Sequence, residues 1–468
     1  MQRMSTVDAM FLANENAREP RQVASLAIVE DPDQTLTYER LINTLEKRID
    51  LVPRYRQVAL RVPGALSTPM WADDEDFDLG LHVRRSALPQ PGTTGGLREL
   101  VGRLIARRLD PERPLWELYL IEGLPDGRVA LLFKTHQALV DGSETIDLAQ
   151  LLLEETQHER HIPHEEWRPR DRPSRAGLVA ASVRKNFARP AEALRIAEFN
   201  AGRVMNSVPG VHTRSSEGRG LLWRELSAYR RFSSLATDLA DYRAVREHHG
   251  GSVNDVVLAA IAGGIRGWML TRAEPVTAKT RFRAMVPMSV SADDGLPTSL
   301  GSQVRGQLVS LPVGETNPVM RLHQVSYALK AHREAGSAVR ATSLARLPGF
   351  ASSTFHAVGA RAAELEAARG HQIVITNVPG PQEPVFMAGQ RLSEIYPCIP
   401  LSGRRPLAIG VTSYAGRVFY GIVADREAIP DIDVLSACIR DALVELVESV
   451  GDQRIRAPRG RSRPRGRS

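Results

Sequence analysis

Two hydrophobic periods alternate along this chain. Residues 128–136 (RVALLFKTH) form a nearly continuous apolar run, which predicts a strand buried on both faces. The run exits into HQALVDG. Beyond it, residues 143–155 (SETIDLAQLLLEE) place Ile146, Ala149, Leu152 and Leu153 at helical spacing, with acids in the first turn that suit the helix dipole. Residues 252–270 (SVNDVVLAAIAGGIRGWML) predict a long apolar helix opened by a capping box between Ser252 and Asp255. Strands are expected at 283–290, 304–312, 371–377, 407–413 and 418–423, and a closing helix at 431–449. This alternation argues a mixed α/β or α+β fold with two lobes of similar size. The expected organisation is an N-terminal lobe over 1–157, a polar crossover over 158–220, a C-terminal lobe over 221–450 and a tail over 451–468.

Charge adds one correction to this picture. The formal net charge is +7, but seven arginines and no acid lie in RIRAPRGRSRPRGRS at the C-terminus, so the body is near neutral. A Pro/Gly/Arg/Ser tail buries nothing and is expected to be disordered. A neutral body without a recognisable nucleic-acid module argues against a nucleic-acid binder. Two cysteines, Cys398 and Cys438, make no disulfide framework and fit a reducing, cytoplasmic setting. No run reaches the ~18 apolar residues of a membrane span. Residues 176–208 are basic and partly amphipathic. They read either as a surface helix packed on its own protein or as an element lying in a membrane interface.

The histidines divide by setting. His158, His161 and His164 stand three apart, but Pro163 breaks the helix that would align them as metal ligands, and no metal is expected. His248 and His249 read as a surface pair before a helix. His136 ends a buried strand at a turn closed by Asp141 and Gly142, and polar groups at the carboxyl end of a strand commonly line a cleft. Nucleotide-binding glycine loops and the GxSxG nucleophile elbow are absent from the sequence.

Six segments, in order, carry a likeness: STVDAMFLANE (5–15), PERPLWELYLIEG (111–123), KTHQALVDGS (134–143), VNDVVLA (253–259), NVPGP (377–381) and SYAGRVFYGIV (413–423). Together they resemble the wax ester synthase/diacylglycerol O-acyltransferase family, within the chloramphenicol-acetyltransferase-like fold. The resemblance spans Met4 to about Val450.

That resemblance implies two lobes with a tunnel between them. Long-chain acyl-CoA and a lipid alcohol, either diacylglycerol or a fatty alcohol, would meet there without metal or redox cofactor, at a cytoplasmic site or on a peripheral membrane or lipid-droplet surface. HQALVDG stands where the family has HHxxxDG. The family's base is the second histidine, four residues before the aspartate, and that position here is Gln137. Glutamine hydrogen-bonds a hydroxyl but has no basic nitrogen. His136 is then the remaining candidate base. Gln137 is expected to hold the hydroxyl, Asp141 and Gly142 to shape the turn, Asn254 to orient the site or stabilise charge, and Glu15 to match the glutamate of the first signature. Two readings follow: an acyltransferase, or a family member that binds lipid or acyl-CoA with little turnover.

Overall fold

The computed structural model describes residues 2–140, 148–157, 167–172, 174–188, 220–289, 304–334, 352–366 and 370–455. His158, His161, His164, Asp141, Gly142 and residues 456–468 of the tail lie outside this set. Among the described residues no group of His, Cys, Asp and Glu is arranged to hold a metal.

The fold is mixed α/β. The chain forms two compact units, one of Met1–Ala236, Arg283–Leu308 and Gly336–Ile432, the other of Thr237–Phe282, Val309–Ala335 and Asp433–Ser468. The larger unit is built on two large sheets, beside a small sheet of Gln2–Arg3, Met70–Asp73 and Gln57–Leu60. The first has seven strands in the order Val83–Ala87, Trp116–Glu122, Arg128–His136, Gln22–Glu30, Gln390–Cys398, Phe386–Met387 and Leu153–Glu154. The second has six, in the order Val304–Leu311, Phe282–Ser289, Ile373–Pro379, Leu407–Tyr414, Arg417–Asp425 and Arg230–Asp238. The five strands expected in the second half of the sequence all belong to this second sheet, with ends within two residues of those expected.

Arg128–His136 lies between two antiparallel neighbours and is buried from Ala130 to its end, as its unbroken apolar run requires. Two strands cross the sequence-order division into lobes, Phe386–Met387 and Gln390–Cys398. Gln390–Cys398, from the C-terminal part, pairs antiparallel with Gln22–Glu30. Its end runs over the second sheet so closely that a Cβ on Gly421 would stand 1.8 Å from the Pro397 carbonyl oxygen, and one on Gly410 would stand 2.6 Å from Pro397 Cβ. Glycine is required at both positions because no side chain fits.

The helix expected over 143–155 is described as helix at Leu148–Leu152, after which Leu153–Glu154 becomes an edge strand paired with Phe386–Met387. The reason is tertiary and electrostatic. Buried Arg48 donates to the Leu151 carbonyl at 2.6 Å and pairs with Glu154 at 2.5 Å, which turns the chain out of the helix. The basic segment is helical over Arg175–Ala188.

In the smaller unit, Val253–Thr271 starts with the expected capping box. Ser252 Oγ accepts from the Asp255 amide, and the Asp255 carboxylate accepts from the Ser252 amide. This helix is long and apolar enough to cross a bilayer, yet it is mostly buried against its own protein. Gly264 lets it approach Ile439 on the helix Ile432–Ile455, where a Cβ would stand 2.4 Å from Ile439 Cγ1.

Besides His82, three further histidines of the larger unit are buried. His356 bonds Thr376 Oγ1 through Nδ1 at 2.6 Å and leaves Nε2 unpartnered. His371 is 0% exposed, and neither of its ring nitrogens has a hydrogen-bond partner. His136 is also 0% exposed. Burial is the leading cause in each case, and it pushes all three imidazoles down to about 3. The folded state therefore keeps them neutral where the unfolded chain, titrating near ~6.5, takes up protons. Stability is predicted to be at its plateau above about pH 6.5 and to fall as pH drops below it, by roughly 1.4 kcal/mol per pH unit for each such histidine. Urea unfolding between pH 7.5 and 5 measures this. A midpoint that holds constant over that range would refute it.

Candidate active site

The carboxyl end of the strand Arg128–His136 is held by its neighbours through the main chain. The His136 amide donates to the Leu115 carbonyl at 3.0 Å and the Gln137 amide to the Arg21 carbonyl at 2.8 Å. The ladder thus runs one residue past the strand. It then turns, with the Leu139 amide donating to the His136 carbonyl at 2.9 Å. Alternation along an extended backbone sends His136 and Gln137 to opposite faces.

His136 faces polar company. Directly opposite it, Gln22 donates through its carboxamide to the carbonyls of Ile105 and Arg107 at 2.9 and 2.7 Å. Two residues earlier, fully buried Lys134 bonds the Arg107 carbonyl at 3.0 Å and the Glu117 carboxylate at 2.9 Å. The Ala138 amide donates to His136 Nδ1 at 3.0 Å. This contact fixes the neutral tautomer: Nδ1 is the acceptor, so the proton sits on Nε2. Nε2 lies 3.9 Å from Glu15 Oε1, beyond hydrogen-bond reach, and has no partner. Burial first, then the cations Arg21, Arg361 and Arg108, hold the ring's pKa near about 3.

The expectation that His136 supplies the base meets this geometry directly. The lone pair a base needs is already bonded to Ala138, and the surrounding cations oppose a second proton. Glu15 has a side chain only 4% exposed. It accepts from the Arg21 amide at 3.2 Å and pairs with Arg108 at 2.9 Å. The first signature therefore reaches the motif histidine through its glutamate.

Gln137 is 2% exposed, and its Oε1 has no hydrogen-bond partner. Thr135, on the same side by alternation, also has a buried hydroxyl without a partner. Unpartnered polar atoms inside a protein are costly, and such atoms mark places where a ligand or water supplies the missing bond. The Gln137 carbonyl is taken by Arg361. That guanidinium also bonds Asp8 Oδ1 at 2.6 Å and lies 4.9 Å from the centre of the Phe11 ring.

Arg361, Asp8 and Arg21 join the site without being marked as site residues by sequence spacing. Asp8 sits inside the first signature and could have been suspected there. Arg361 lies in a helix without any motif, 353 residues from its carboxylate. The PLW segment forms the adjoining wall. Leu115 provides the carbonyl for His136, and Trp116 donates from its indole to the Tyr55 carbonyl at 2.7 Å while stacking on His82. Asn254 is the second residue of the helix Val253–Thr271 in the smaller unit, half-buried beside the capping box. Its assignment to the site rests on the resemblance.

Comparison with known proteins bears on the whole chain. Residues 4–257 match the wax ester synthase/diacylglycerol acyltransferase catalytic domain, and residues 300–447 match the C-terminal domain of the same enzymes. A probable diacylglycerol O-acyltransferase of Mycobacterium tuberculosis is 31% identical over 473 residues, covering 98% of this chain and 99% of its own. A second from that organism is 38% identical over 260 residues, 53% of this chain and 96% of its own. Among solved structures, the wax ester synthase/diacylglycerol acyltransferase of Marinobacter aquaeolei VT8 aligns with a TM-score of 0.67 and 25% identity, over 96% of this chain and all of that one. The first condensation domain of the CDA synthetase, at TM-score 0.54 and 15% identity, shares the fold. With both domains matched in order and relatives aligned end to end, the chain belongs to the wax ester synthase/diacylglycerol acyltransferase family, and its chemistry is acyl transfer.

Proposed function

We propose that the chain transfers a long-chain acyl group from coenzyme A to a lipid hydroxyl, with diacylglycerol the principal acceptor and a fatty alcohol the second, and with no metal or redox cofactor. The relatives that align over its full length are described as diacylglycerol O-acyltransferases, which favours the diacylglycerol reading. The observation that carries the proposal is the buried, unpartnered Oε1 of Gln137 at the position the family gives to its base. An acceptor hydroxyl donating to that oxygen would satisfy it and aim the alcohol oxygen at the thioester carbonyl. In the transfer a C–O bond forms and the C–S bond breaks. The alcohol proton passes through water to the departing sulfur, so ester and free thiol are the products. Holding both reactants in line supplies much of the rate, up to roughly 7–11 kcal/mol of barrier. The general-base contribution, about 10²–10⁴, is missing.

In this proposal His136 is a latch. Its Nδ1 ties down the amide that follows Gln137 and so fixes the turn. The lock on His136 and the missing base at Gln137 also support the second reading, in which the protein binds acyl-CoA or lipid and turns it over negligibly.

The lipid acceptor suggests a lipid surface as the place of work. The helix Arg175–Ala188 leaves Phe187 86% exposed and Val183 38% exposed, one turn apart on the same face and next to exposed Arg184. We propose that this face rests on lipid.

Three measurements test these statements. With labelled long-chain acyl-CoA and either diacylglycerol or a fatty alcohol, the purified protein is expected to make ester slowly, and Gln137→His is expected to raise kcat by about 10²–10⁴. A native chain that makes no ester, beside a Gln137→His variant that does, would establish the binding reading instead. His136→Asn keeps an oxygen near the Nδ1 position to accept from Ala138, so it should retain turnover within a few-fold, whereas His136→Ala should lose both turnover and thermal stability. Loss of all turnover in a folded His136→Asn protein would return the base role to His136. Phe187→Ser should weaken co-sedimentation with anionic vesicles, and unchanged binding would remove this helix from the lipid contact.

A further inference from the structure

The motif position has a second set of supports that the family motifs do not name. The helix Ser352–Leu365 carries Arg361 and Glu364 one turn apart, and both act on the peptide of Gln137. Arg361 donates to its carbonyl directly. Glu364 acts at one remove: it pairs with the Arg21 guanidinium at 3.1 Å, and the Arg21 carbonyl accepts from the Gln137 amide at 2.8 Å. Arg405, at 3.0 Å, holds Glu364 from its other side. Arg361 is in turn fixed by Asp8, whose own helix is capped by Ser5 Oγ accepting from the Asp8 amide. Arg361 is 9% exposed, so its charge acts at short range in a poorly solvated place.

We propose that Arg361, latched to Asp8, is a positioning residue for the acyl-transfer site: it aims the side chain at position 137 and sets the charge that side chain experiences. The fork of the guanidinium is essential to this, because one arm holds Asp8 while the other holds the Gln137 carbonyl. Lysine has the charge without the fork. The inference rests on the proposed function, in which the side chain at position 137 receives the acceptor hydroxyl.

The test places a titrating probe at that position with Gln137→His in the full-length chain. The imidazole is followed by NMR on histidine-labelled protein, with the parent chain as the difference reference, alongside kcat and KM. The charged groups tied to the peptide at that position are Arg361, with Asp8 behind it, and Arg21, with Glu364 behind it; Glu15 and Arg108 stand on the His136 side of the strand. In this background Arg361→Met removes a cation and frees Asp8, so the probe's pKa is expected to rise by about one unit or more. Asp8→Asn leaves Arg361 uncompensated, so the pKa is expected to fall. Arg361→Lys should leave the pKa near that of the Gln137→His parent while kcat drops at least tenfold with KM little changed. Opposite shifts for the two charge removals establish the electrostatic role, and the kcat-only loss in Arg361→Lys establishes the aiming role. If folded Arg361→Met and Asp8→Asn proteins leave the probe's pKa unmoved, or if Arg361→Lys keeps full kcat, Arg361 only braces the fold and the inference is overturned. Opposite pKa shifts in a protein that makes no ester would sink the proposed function and leave the placement of Arg361 standing.

Discussion

The peptide group of Gln137 is gripped at both ends, its amide by the Arg21 carbonyl and its carbonyl by Arg361. Much of the larger unit is arranged around keeping that grip. Arg21 stands immediately before the strand that pairs with the motif strand, so the register of Gln22 against His136 delivers its carbonyl to the right place. Arg361 arrives from a helix far along the chain and is held by the first helix through Asp8. Three segments remote in sequence therefore converge on one peptide bond. A one-residue slip of the sheet would exchange the faces of His136 and Gln137 and lose the site.

The cations that make this convergence possible are largely buried, and burying charge is costly unless every charge is paired. Arg21 meets Glu19 and Glu364, Arg405 meets Glu364 again, and Lys134 meets Glu117, which also pairs with Arg84. Burial alone would push Glu364 and Glu117 upward, but the arginine and lysine partners hold both carboxyls below the usual carboxylate range. Replacing such pairs by apolar residues often costs a fold little. Their use here lies in direction: each pair joins a particular strand end to a particular helix or loop, and the joints surround the motif.

His136 and Gln137 show how neighbouring positions acquire different chemistry from one backbone. The imidazole is turned toward Glu15, Arg108 and Arg21, is fixed in one tautomer by Ala138, and is kept neutral by burial and by the cations around it. The carboxamide is turned the other way, with an oxygen that nothing in the described structure satisfies. In the proposed function, a basic nitrogen at the second position would face the acceptor hydroxyl. At the first position it faces a hydrogen bond that the turn itself requires.

By itself the sequence determined the strand–turn–helix order around the motif, the capped helix at Val253–Thr271, the strands of the second sheet and, through six ordered segments, the family. Each of these is written in local periodicity, local capping or short contiguous motifs, which do not need the rest of the chain to be read. Other features belong to the tertiary structure alone. That Gln390–Cys398 joins the N-terminal sheet, that residues 153–154 leave the helix for an edge strand, that Glu15 is buried, and that Arg361 holds Gln137 all depend on contacts across tens to hundreds of residues. The His136 tautomer also came from three dimensions, since only the folded turn brings the Ala138 amide onto Nδ1. Sequence spacing aligned Gln137 with the position that the family motif gives to its base. Which neighbours aim that position, and which nitrogen beside it is already engaged, is fixed by the packing of charges that have no common motif.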